Sequence, residues 1–114
     1  MDYVNEVLEK SRTLDACIEQ LRDYGMKLSS AEKDYKITLR QEALKLRAEE
    51  NMPVTLINQI IYGVPEVADK RFKRDIAETM RNTCQEKINV LKLQIRILQH
   101  QIELEYNDFG KGNI

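Results

Sequence analysis

The sequence has no tryptophan, two phenylalanines, four glycines, two prolines and a single histidine in 114 residues. So few turn formers exclude a many-stranded fold, which needs turn signals every 8 to 12 residues or so. Two cysteines are too few for a disulfide framework. Cys17 and Cys84 each fall where an apolar residue is expected on a helical stripe, and are expected to be buried free thiols. No apolar run approaches the roughly 18 residues of a membrane span, and nothing reads as a secretory signal. The expectation is therefore a soluble, cytoplasmic protein with no membrane partner. There is no glycine-rich phosphate loop, no nucleophile elbow and no cluster of cysteine or histidine at metal spacing. Neither enzymatic activity nor a cofactor or metal is expected.

What the chain does have is charge and helical periodicity. Charged residues make up 32%, with 18 basic against 19 acidic side chains, so bulk electrostatics point to no particular partner. The distribution is uneven: residues 70 to 96 hold eight Lys and Arg against three acids. The fold class expected is all-α, an antiparallel hairpin of two long helices with a short connecting helix. At 13.4 kDa it is one domain over residues 1–109, followed by a flexible tail at 110–114.

The first helix is expected over about residues 2–50, from Val4, Val7, Leu14, Ile18, Leu21, Leu28, Ala31, Tyr35, Leu39, Ala43 and Leu46 at helical spacing. Gly25, and Ser29 followed by Glu32 in a capping-box pattern, mark a possible break. Leu28 and Tyr35 keep the heptad phase of Leu14 and Leu21, which favours a continuous or merely kinked helix. Asn51 and Pro53 end it. A connector over about 53–63 contains a short buried helix from Val54, with Gly63 placed as a left-handed cap and Pro65 opening the next helix. The last helix is expected over about 65–107, with Phe72, Ile76, Met80, Cys84 and Ile88 as its apolar set. Steps of four drift around an undistorted helix, so the contact seam is expected to rotate.

Within that helix two apolar stripes stand on opposite sides. At about 100° per residue, Ile88, Leu91, Ile95, Leu98 and Ile102 share one sector roughly 80° wide, in an Ile and Leu alternation suited to two-stranded parallel coiled coils. Val90, Leu93, Ile97 and Leu104 cluster about 150° away. Ile88 to Ile97 also alternates well enough to pass as a strand, but no Gly or Pro bounds the run and no partner strand is in view, so helix is expected. One stripe serves the hairpin core. The second calls for a further helix, most economically from another copy, so a homo-oligomer is expected with Val90, Leu93, Ile97 and Leu104 as its interface.

Other constellations are weaker. Val54 to Arg74 has the outline of a helix-turn-helix, yet its second helix begins Pro65-Glu66-Val67-Ala68, poor in side chains that read base edges. An alternative function is nucleic-acid backbone contact through Lys70, Arg71, Lys73, Arg74 and Arg81. His100 and Glu103 have a three-residue spacing, but metal-binding bundles use the order Glu then His and need more inward carboxylates. Asp34 with Glu32, and Glu103 with Glu105, read as exposed charge.

At Ala31 to Tyr35, Met52-Pro53-Val54, Gly63 with Val67-Ala68, Lys70 to Asp75, and Ile88 to Leu93 with Ile95 to Leu98, the chain resembles small helical proteins encoded by tailed phages and prophages of Gram-positive bacteria. That resemblance implies a place in early gene clusters for replication and recombination, and a phage or host protein as partner. It implies no catalytic residue.

Overall fold

The computed structural model describes the backbone of residues 2–112 and the side chains of residues 2–108. Asp2 starts the first helix, α1 (Tyr3–Glu49). Its carboxylate accepts the Asn5 backbone N–H at 3.1 Å and the Asn5 side-chain amide, the arrangement of an N-cap. α1 runs unbroken through Gly25, so the capping-box pattern at Ser29 and Glu32 starts nothing. It ends at Glu49, and two residues on Asn51, with a φ of 51°, turns the chain through the left-handed region. The Met52 N–H then reaches back to the Leu46 carbonyl at 3.4 Å, and the Arg47 guanidinium donates to the Met52 carbonyl at 2.9 Å.

Pro53 is extended, and its carbonyl accepts the N–H groups of Leu56 and Ile57, each at 3.0 Å, to open α2 (Val54–Ile60). A 3-10 turn (Ile61–Gly63) follows. The expected left-handed cap at Gly63 is not there: no glycine among the described residues has a positive φ. The direction change is made instead by Val64, held extended by Pro65, which opens α3 (Pro65–Gly112). α3 continues five residues past the expected end near 107 and takes in residues 110–112 of the expected tail. Asn113 and Ile114 lie outside the described residues. Among the described residues there is no strand, and Ile88 to Ile97 is helical.

α1 packs against α3 with the short helix between them in sequence, a helical hairpin in class. The chain divides into two compact units. One combines Met1–Arg22 with Asn82–Ile114. In it Lys10 Nζ lies 3.2 Å from Gln94 Oε1, and the Cys84 thiol donates to the Cys17 carbonyl at 3.4 Å. As the number rises along α1 it falls along α3, so the helices are antiparallel. Cys17, Cys84, Ile88 and Leu91 are buried, both cysteines as free thiols. Val7, Leu14, Leu21, Ile95, Leu98 and Ile102 are half-buried, whereas Val4 and Ile18 are exposed.

The other unit is Asp23–Arg81. Its core is Tyr35, Ile57, Ile61 and Val67, with Leu39, Ala43, Leu46, Met52 and Val64 packed against it. The expected apolar set differs from the observed one in this unit. Phe72, Ile76 and Met80 are all exposed, and the covered positions are Val67, Lys70, Arg74 and Ala77. Spacings of three and four hold one direction along a helix, whereas repeated fours turn by about 40° each. α3 follows the first pattern, so the seam keeps its heading through two basic residues and the more apolar set is left in solvent.

Candidate functional site

The four residues expected to meet a partner lie in the first unit, on the side of α3 turned away from its core. Val90, Leu93, Ile97 and Leu104 are 50%, 52%, 54% and 42% exposed, whereas Ile88 and Leu91, two residues before and one after Val90, are 2% and 8% exposed. The contrast follows from helical geometry, since adjacent positions differ by about 100°. Ile88 and its stripe, whose composition suits a parallel coiled coil, are used within the chain against an antiparallel helix. Asn89, Lys92, Arg96 and Glu103 on one border of the exposed stripe, and Gln94 and Gln101 on the other, are themselves exposed. Covering four half-exposed aliphatic side chains is worth about 1 kcal/mol each. An aliphatic face of this kind has no group able to transfer a proton or attack a bond, so what it can do is bind.

The five basic candidates do not share a face. Lys70 is half-buried and Arg74 partly covered, at the third and seventh positions after the fully buried Val67. Arg74 has its guanidinium 4.7 Å from the Tyr35 ring centroid and donates twice to Asp75, at 2.8 and 3.1 Å; that hydrogen bonding raises its pKa. Arg71 stacks on Tyr62 at 5.2 Å, and Lys73 pairs with Asp69 at 3.1 Å. Arg81 is exposed. Lys70 and Lys73 meet Lys27 of α1 around a groove of about 200 Å³ that Ser30, Ala31 and Asp34 also line. Lys27 was not legible as a member of this group, because it lies more than forty residues away in sequence.

His100 and Glu103 are exposed, and among the described residues no three His, Cys, Asp or Glu side chains come together as metal ligands would. Glu32, Asp34 and Glu105 are exposed as well. The connector helix, expected to be buried, is mostly exposed, with only Ile57 and Ile61 of this stretch buried. Val54, Leu56, Ile60 and Tyr62 are exposed within residues 51–65, a stretch without one charged side chain. The available signal was the absence of charge in a chain so rich in it. Among the described residues no helix is long and apolar enough to cross a membrane. No protein-family model matches this sequence, and no curated protein or solved structure is detectably similar to it.

Proposed function

We propose that this chain is a non-enzymatic helical interaction protein that self-associates through Val90, Leu93, Ile97 and Leu104 and offers its remaining surface to a protein partner. The class of partner that goes with the sequence resemblance is a phage or host protein, met as an inhibitor's target or in replication and recombination. One observation carries the reading: α3 keeps an aliphatic stripe half in water directly behind the side that buries Ile88 and Leu91.

Sedimentation equilibrium of the full chain over micromolar concentrations tests the proposal. The native chain is expected to show a mass of two or more copies that is insensitive to salt. Leu93→Asp with Ile97→Asp should weaken association by about tenfold or more while helical circular dichroism is retained, because each buries an unpaired carboxylate. A native chain that stays monomeric and fully folded at about 100 µM would overturn the proposal.

The groove shared by Lys27, Lys70 and Lys73 favours a second reading, contact with a nucleic-acid backbone by way of Lys70, Arg71, Lys73, Arg74 and Arg81. Such binding would fall steeply between low and moderate salt and on charge reversal of those residues. The stacking of Arg71 and Arg74 on tyrosines, and the pairing of Lys73 with Asp69, rank it second.

A further inference from the structure

The outer side of α3 in the unit containing Asn82–Ile114 is spaced as a heptad seam. Thr83, Val90, Ile97 and Leu104 recur every seven residues, and Glu86, Leu93 and His100 follow the first three of them by three. All seven side chains are exposed. The seam faces about 150° away from the side that packs on α1, so a helix laid along it meets α3 alone. This geometry suits a two-stranded contact.

Building on the self-association reading, we propose that the occupant of this seam is the same seam of a second copy, parallel and in register. Three of the four residues in the seven-residue series, Thr83, Val90 and Ile97, are β-branched, and the apolar member of the other series is Leu93. Among parallel coiled coils, branched residues in the first series with leucine in the second favour two strands. The inner stripe of the same helix has a related composition and packs antiparallel, but there the short connector dictates the direction. Between separate copies no connector intervenes, and side-chain fit decides.

Layer by layer, the parallel register sets like against like. Val90, Leu93, Ile97 and Leu104 each meet their own counterpart, giving four wholly apolar layers. Glu86 and His100 also meet themselves, and a polar layer of this kind fixes register at some cost in stability. Antiparallel alignments mix the two classes. The one that opposes Val90 to Leu93 puts Glu86 against Ile97 and Thr83 against His100. The one that opposes Ile97 to Leu93 puts His100 against Val90 and Glu86 against Leu104. The first leaves a polar group facing an aliphatic one twice per pair and the second four times, and each such contact costs desolvation without a partner. Beside the seam, parallel helices bring Asn89 opposite Gln94 and Arg96 opposite Gln101 of the other copy, with no like charges between Val90 and Ile97, while beyond Leu104 they set Glu103 opposite Asp108, two acids.

Two measurements on the full chain test the orientation. The first places a nitroxide label at Thr83→Cys or at Asp108→Cys, with Cys17 and Cys84 changed to Ala, and reads label separation by pulsed electron resonance. A parallel pair is expected to give a separation under about 25 Å at both positions. From 1.5 Å of rise per residue, an antiparallel pair would give about 26 Å at residue 83 and about 50 Å at residue 108 with Val90 opposite Leu93, or about 36 and 39 Å with Ile97 opposite Leu93, so residue 108 is the decisive position. The second keeps the native cysteines and mixes the native chain with Glu86→Lys. In a parallel pair residue 86 meets residue 86, so mixed dimers should exceed the statistical half, to about two-thirds or more. Distant labels together with a statistical mixture would overturn the parallel register and leave self-association standing. Monomers in both experiments would overturn self-association itself, and this inference with it.

Discussion

The Arg74 guanidinium lies over the ring of Tyr35, 4.7 Å from its centroid, and so joins α3 to α1 at the edge of the core formed by Tyr35, Ile57, Ile61 and Val67. An arginine here does the work of an apolar residue. Its stem and planar head cover the ring while the charge remains close to Asp75. Arg74→Ala should therefore lower unfolding free energy in urea by about 1 to 2 kcal/mol, the sum of the cation–ring attraction and the lost cover. Arg74→Lys should fall between, since an ammonium keeps the charge but not the planar stack. A double-mutant cycle with Tyr35→Leu should give a coupling of about 0.5 to 1 kcal/mol. Additive losses would mean that the two side chains act independently.

The same pair explains why part of the seam was not legible in the sequence. In the first unit, Ile88 and Leu91 are both apolar and inward, so periodicity and packing agree. In the second, Phe72, Ile76 and Met80 outrank Lys70 and Arg74 on any hydrophobicity scale, yet they are the exposed set. Long cationic side chains lie along a seam with their heads in water, and a pattern read from apolar residues alone passes over them. Helix ends were more legible. Pro53 and Pro65 act through fixed geometry, whatever packs around them. Gly63 misled because glycine permits a left-handed turn without requiring one. The aliphatic stripe at Val90, Leu93, Ile97 and Leu104 was visible because four residues at helical spacing need no tertiary information to share a side.

Asn51 is the one non-glycine residue with positive φ among those described, at 51°. Asparagine tolerates this region better than other residues with a side chain, and glycine better still. Asn51→Gly is expected to leave stability unchanged or raise it by up to about 1 kcal/mol, whereas Asn51→Ala should lose about 1 kcal/mol and Asn51→Val more. Thermal unfolding of the three variants at one concentration checks the order. Equal midpoints would mean that the chain does not turn through the left-handed region at this residue in solution.

Gly25 sits in the interior of α1, where its backbone is helical and a Cβ built upon it would meet nothing within 4 Å. A glycine in such a place lowers stability through its conformational freedom in the unfolded chain, and alanine removes that freedom without introducing a clash. Gly25→Ala should therefore stabilise the protein by about 0.8 to 1 kcal/mol, a rise of several degrees in the unfolding midpoint for a chain of this length. The substitution also reports on the helix. If α1 bent at Gly25 in solution, with a new cap at Ser29, alanine would hinder the bend and the midpoint would stay level or fall. Gly25→Pro supplies the contrast, because loss of the amide hydrogen bond and collision with the preceding turn should cost about 3 kcal/mol in a continuous helix and far less at a hinge.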